Sequence, residues 1–246
     1  LPGVPVVRGR ALGAVAALRR PSTTPAQQPN EGDERRLETA LHTTHRALTD
    51  LVERAQRLGL GERADFIHSY LLMVDDQQLR RGTKTSLAKG ASLTTALGRV
   101  ARHATAAAAK RDDEFLMTRA RDLEQLCDAL LVMASPDPGA APPSKSIVVA
   151  DQLSIYDVLV TVQTGPVGFV MTGRAPRTRS RVLLELLGIP AITSVAGALR
   201  WTAPGDIALV DADHGLLTIN PSRADIAAYR AERRRERVSF RGADKT

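Results

Sequence analysis

The chain of 246 residues has one cysteine, Cys127, which excludes an intramolecular disulfide and a cysteine-rich metal site. Aromatic residues make up only 3 % of it, which weakens a nucleic-acid reading based on rings set among basic residues. No apolar run approaches the roughly 18 residues that a membrane-spanning helix needs. The apolar start, from Leu1 to Leu18, carries Arg8 and Arg10 in its middle, where a signal peptide would be uninterrupted. It therefore reads as a strand in a cytoplasmic protein. The first residue is Leu1 rather than Met, so a fragment or trimmed domain is expected. Lysine is scarce as well: 29 of the 34 basic residues are arginine. Together with abundant alanine and valine this points to a GC-rich coding bias, so the net charge of +7 is a poor guide to function.

The length fits one large domain or two small ones. A hydrophobic content of 43 % and a charged content of 25 % are ordinary for a globular chain, so folding needs no disulfide or metal staple. Two stretches, 21–32, rich in Pro, Gln, Thr and Asn, and 134–145, which holds Pro136, Pro138, Pro142 and Pro143, read as linkers. Between them the pattern is helical. Leu37, Leu41, Thr44, Leu48, Leu51, Ala55 and Leu58 recur at spacings of four and three, one apolar stripe on a long helix. Gly59 and Gly61 end it. A second helix is expected over about 62–80, with Phe66, Ile67, Leu71 and Val74 inward. A third follows Gly90, and a fourth holds Phe115, Leu116, Leu123, Leu126, Cys127, Leu130 and Leu131. Short connections between them predict an antiparallel bundle.

After the second linker, short apolar runs alternate with helical segments: 146–150, 167–171, 191–193, 207–210 and 216–219, with helices near 154–163 and 178–187. Asp213-His214-Gly215 is a hairpin turn signal. This grammar predicts an α/β layer joined by the strand Val4 to Val7, with the bundle inserted between that first strand and the rest. The expected division is an α/β unit of 1–20 plus 145–224, an inserted helical unit of 33–133, and a polar tail helix with its linker over 225–246.

The stretch from Gly168 to Ile192, GFVMTGRAPRTRSRVLLELLGIPAI, resembles the phosphohistidine segment of phosphoenolpyruvate-utilising enzymes, above all the N-terminal domain of Enzyme I of the bacterial sugar phosphotransferase system. That family reads G-F-I-T-x-x-G-G-x-T-S-H-x-x-I-x-A-R-x-x-x-x-P-A-I here, and the two align without a gap. Gly9-Arg10-Ala11, Asp112-Asp113-Glu114-Phe115 with Arg119 and Asp122, and Gly205-Asp206, Val210-Asp211 and Asn220-Pro221 match further family blocks in order. The resemblance implies a phosphohistidine-type swivelling α/β subdomain with an inserted all-α helical-bundle subdomain. It also implies that the bundle docks a phosphocarrier protein of the HPr type, with His68 and Arg119 in the docking region. The family's phosphoenolpyruvate and magnesium sites lie in a C-terminal barrel, so no cofactor and no metal are expected in this chain.

On this alignment the family's phosphorylated histidine falls on Arg179, its Thr-Ser on Arg177-Thr178, and its Gly-Gly on Arg174-Ala175. Phosphoryl relay needs an imidazole nitrogen that attacks phosphorus and leaves again near neutral pH. A guanidinium stays protonated and cannot do this. What stands there instead is positive: Arg174, Arg177, Arg179 and Arg181, with Thr178 and Ser180 as candidate caps at a helix start, an arrangement suited to an anion. The bland alternative is a solvated loop in an arginine-rich chain. His42 and His45 are spaced for a metal but lack a third ligand, His103 reads as exposed, and His214 lies in a hairpin turn remote in sequence from this segment. Cys127 reads as inert core, and Asp112 to Glu114 as helix caps rather than a cation site.

Three readings follow. The first is a relative of Enzyme I that docks a phosphocarrier or binds anions without carrying phosphoryl. The second is a working phosphotransferase module, of Enzyme I or of a dihydroxyacetone kinase phosphodonor subunit, that uses another acceptor. The third, a nucleic-acid binder built on Arg233-Arg234-Arg235 and Arg237, is disfavoured because Glu232 and Glu236 interrupt that run.

Overall fold

The computed structural model describes residues 1–17, 29–30, 32–134, 143–162, 164–173 and 178–243. Most of both expected linkers therefore lies outside the described residues. The first strand, β1 (Val4–Val7), is followed at once by a second, β2 (Arg10–Ala17). Five helices come next: α1 (Asp33–Arg57), α2 (Phe66–Asp75), α3 (Gln77–Ala88), α4 (Leu93–Ala109) and α5 (Glu114–Ala134). The sheet then resumes with β3 (Ile147–Ala150), α6 (Ile155–Val162), β4 (Gly168–Met171), α7 (Thr178–Leu187) and β5 (Ala191–Thr193). A short α8 (Ala198–Trp201), the hairpin β6 (Ile207–Asp211) and β7 (Leu216–Ile219), and the tail helix α9 (Arg223–Ala243) complete it.

The seven strands form one sheet in the order β1-β5-β4-β3-β2-β6-β7. Strands β2, β3, β4 and β5 run parallel, while β1, β6 and β7 pair antiparallel. Side chains alternate across it. Val148 and Ala150 face a core shared with the helices, while Ile147 and Val149 face a second core with Val15, Val170, Ile192, Val210 and Leu217. Burial on both faces explains why these strands read as unbroken apolar runs. The sheet curls until its edges meet. Gly3 N donates to Gly215 O at 2.7 Å, and Pro2 bridges Leu216. Gly215 has φ +69°, and a Cβ there would lie 2.5 Å from Gly3 O, so a side chain would be both strained and obstructed.

The bundle sits between two adjacent parallel strands, β2 and β3, with Val15 opposite Ile147. This corrects the expectation of an insertion after the first strand: the stretch from Leu1 to Leu18, read as one strand, holds two, and the second, β2, lies inside the sheet. The helix expected over about 62–80 is in fact three pieces. A 3-10 turn (Glu62–Ala64) leads into α2, and α2 ends at Asp76, whose side chain accepts from Gln78 N at 2.7 Å and so caps α3. On α2 the buried residues are Ile67, Tyr70 and Val74, with Phe66 and Leu71 only half-buried. Phe115 is exposed in the first turn of α5, where Arg119 stacks on its ring at 5.1 Å. Asp113 caps this helix, accepting from Phe115 N at 2.8 Å and Leu116 N at 3.2 Å. Cys127 is buried, and burial with Asp128 and Glu124 nearby pushes its thiol up to about 12, so it stays an inert thiol.

The two layers share one core. Leu37, Leu41, Ile67 and Leu126 of the bundle belong to the same apolar cluster as Val148, Leu159, Phe169 and Leu183 of the α/β part. A single buried surface therefore seats α7 against the helices. Among the described residues no helix is long and apolar enough to cross a membrane.

Candidate functional site

Open parallel sheets place chemistry at the carboxyl ends of their strands. Here β3 ends into Asp151, β4 ends into Thr172 and Gly173, and α7 starts shortly after. The loop ends are tied together: Thr172 N donates to Ala150 O at 2.9 Å, Gly173 N to Asp151 O at 3.0 Å, and Ser194 N to Gly173 O at 3.2 Å. The Thr172 hydroxyl donates to Asp151 Oδ1 at 2.9 Å. A Cβ on Gly173 would lie 2.7 Å from Asp151 O, so the approach of the two loops demands glycine. Asp151 and Thr172 were missed from the sequence; their position just past two apolar runs was the available signal.

Arg179 is the second residue of α7. Its Nη1 lies 3.3 Å from both carboxylate oxygens of Asp122 on α5, and its guanidinium carbon lies 5.3 Å from the centre of the Phe66 ring on α2. Asp122 is buried, with 7 % of its side chain exposed against 47 % for Arg179. Its Oδ1 also accepts from the Tyr70 hydroxyl at 2.7 Å. Burial first, then the bond to Asp122, holds the Tyr70 hydroxyl well above its ordinary pKa, so it remains a donor near neutral pH. The outcome is a buried carboxylate satisfied by one phenol and one guanidinium.

Of the remaining expected anion ligands, the two that are described, Ser180 and Arg181, do not converge on this point. Ser180 is buried and its hydroxyl donates to Leu153 O, which corrects the expectation that it offers a proton to an anion. Arg181 is exposed and its Nε pairs with Glu185 Oε1 at 2.9 Å on its own helix. Arg174 and Arg177 lie outside the described residues, as does the side chain of Thr178. None of the five histidines is on α7. His68 faces Asp65 at 3.3 Å, His45 faces Asp75 at 3.5 Å, and His214 faces Asp211 at 3.0 Å. His42 bonds Arg46 rather than His45. Among the described residues no group of three His, Cys, Asp or Glu is placed to hold a metal ion.

Arg119 and His68, both expected at a docking surface, line different cavities. Arg119 borders a groove of about 690 Å³ between α3, α4 and α5, floored by Leu79, Val100, Ala104, Leu116 and Leu123. Arg99, His103 and Arg111 complete its rim. His68 lines a cavity of about 380 Å³ with Val52, Gln56 and Glu62.

The fold and the match to known proteins agree. Residues 2–119 match the family described as PEP-utilising enzyme, N-terminal. The structure superimposes on the N-terminal domain of Enzyme 1 - Nitrogen with a TM-score of 0.68 at 23 % identity, covering 94 % of this chain and 98 % of that one. The chain shares the fold of Enzyme I N-terminal domains, and its first half is similar to the N-terminal part of PEP-utilising enzymes. A second Enzyme I structure, solved by NMR, matches with a TM-score of 0.57 at 20 % identity, over 96 % of this chain and 99 % of that one. In sequence, the chain is 28 % identical over 247 residues to the phosphoenolpyruvate-protein phosphotransferase of Streptomyces coelicolor, covering 95 % of this chain and 43 % of the relative. It is 29 % identical over 238 residues to the multiphosphoryl transfer protein of Xanthomonas campestris pv. campestris, covering 93 % of this chain and 28 % of that protein. It thus spans less than half the length of these relatives.

Proposed function

We propose that this Enzyme I-like domain serves a phosphoenolpyruvate-dependent phosphotransferase system in the cytoplasm by docking an HPr-like phosphocarrier, without itself carrying the phosphoryl group. The observation that carries the reading is Arg179. It stands at the start of α7, where the alignment puts the acceptor histidine, and its guanidinium is engaged with Asp122 rather than open to a reacting phosphorus. No imidazole stands on that helix to take over. A cationic side chain there attracts a phosphoryl group but forms no bond to it.

The docking surface in this reading is the apolar groove bordered by Arg119, with exposed Leu72 and Phe115 on neighbouring helices. Hydrophobic side chains this open are consistent with a partner contact. The test combines the domain with phosphoenolpyruvate, a competent barrel domain and an HPr-like carrier. Binding of the carrier without acid-labile phosphate on this chain is expected. Acid-labile phosphate on the chain would instead favour the working phosphotransferase with another acceptor. Absence of carrier binding would remove the docking role.

A further inference from the structure

We propose that Arg179 is a positioning residue that clamps the α/β layer to the helical bundle, fixing α7 in one orientation through Asp122, Phe66 and Tyr70. This inference stands on the contacts themselves and does not depend on which partner the bundle docks.

The interface between the layers is mainly apolar. Val182, Leu183 and Leu186 of α7 join the cluster that contains Leu41, Leu48 and Ile67 of the bundle. Such contact is strong but has no preferred angle, because dispersion and burial depend little on direction. Directional bonds set the angle. Among the described residues, two groups of them cross the interface from α7, one near each end of the helix. At the start, Arg179 meets the Asp122 carboxylate and the Phe66 ring. Towards the end, Glu185 Oε2 pairs with Arg63 Nη1 of the 3-10 turn at 3.2 Å. Two separated ties on one helix resist both sliding and rotation, whereas a single tie acts as a pivot.

The first tie is the stronger candidate because its anion is buried. The Asp122 carboxylate has little water to solvate it, so it depends on the Tyr70 hydroxyl and the Arg179 guanidinium. A buried charge that loses its counter-ion draws in water or turns outward, and either response opens the seam between α5 and α7. The Arg63–Glu185 pair has 46 % and 21 % of its side chains exposed and is worth less. Stacking on Phe66 adds a contact that a smaller cation would not reproduce, since a guanidinium plane covers a ring where an ammonium does not.

The test compares the whole chain with Arg179→Met, Arg179→Lys, Asp122→Asn and the double variant Arg179→Met with Asp122→Asn. Arg181→Met is the control, since among the described residues Arg181 pairs within its own helix, with Glu185. Two readouts are taken: amide hydrogen exchange along α5 and α7, and residual dipolar couplings for each layer. In the native chain one alignment tensor is expected to fit both layers. In Arg179→Met the α7 amides exchange about tenfold faster and the two layers require separate tensors. Arg179→Lys lies between, and Arg181→Met matches the native chain. In the double variant, Asp122→Asn adds little to Arg179→Met, because both remove the same tie. The clamp is refuted if Arg179→Met keeps native exchange and a single tensor. Fully additive effects in the double variant would refute it too. Arg179→Met alone decides the matter should Asp122→Asn fail to fold, as it alters a half-exposed side chain.

Discussion

Tyr70 shows how much one hydroxyl can carry. It lies on α2, 52 residues before Asp122, and among the described residues its proton is one of two donors reaching that buried carboxylate. Tyr70→Phe keeps the ring and removes the donor, so the expected loss of stability is about 1–3 kcal/mol by urea unfolding. Arg179→His is a different test. It places an imidazole at the start of α7 while leaving Arg174 and Pro176 where the family pattern has glycine and an unrestricted residue. With phosphoenolpyruvate, a barrel domain in trans and a carrier supplied, no acid-labile phosphate is expected on this variant by phosphate release in acid. The resemblance puts the family histidine at Arg179, a reading that rests on the surrounding segment aligning without a gap. The contact it makes was not. Asp122 was matched only as part of a helix motif, and Tyr70 and Phe66 come from another helix, so no local spacing signalled that the three would meet.

At the level of elements, long periodic helices read well and short departures did not. The stripe from Leu37 to Ala55 is the buried face of α1. The segment after it carried enough apolar residues to look continuous, but Asp76 takes an extended conformation and caps α3. Asp76→Ala removes that cap and is expected to cost about 1 kcal/mol, measured as a lower urea midpoint with unchanged slope. That β2 is a strand of its own, apart from β1, escaped notice for a reason of composition. Its sequence, RALGAVAA, is rich in alanine and glycine, which have little intrinsic preference for strands. It becomes a strand because β3 and β6 flank it, a tertiary cause absent from the residues themselves. The strands from β3 to β5 were readable because both of their faces are buried.

The whole molecule is held closed by a seam and a clasp. At the seam Gly215 meets Gly3, and Gly215→Ala is expected to destabilise the domain by about 1–3 kcal/mol in thermal unfolding, since the new methyl group adds obstruction to a left-handed backbone. The clasp joins Arg10 of β2 to Asp211 of β6 at 2.8 Å and to Glu232 of α9. Burial works against ionisation of Asp211, but bonds from His214 and Arg10 outweigh it and hold its pKa below the ordinary value. The sign follows from that direction. A carboxylate with a lowered folded pKa contributes stability above its unfolded pKa of about 3.9, and the contribution is lost as pH falls through the folded value. Relative to the native chain, Asp211→Asn is therefore less stable at neutral pH, and the gap narrows below about pH 4 in a series of urea titrations.

The place of the bundle between β2 and β3 also dictates an order of events during synthesis. A ribosome delivers β2 first and Ile147, its eventual neighbour, only after all five bundle helices. The helices make mostly local contacts and fold early, while the half-finished strand has no parallel mate. Nascent chains halted before Ile147 should therefore show a protease-resistant bundle and a cleavable β2, and protection of β2 should arrive only once β3 has emerged.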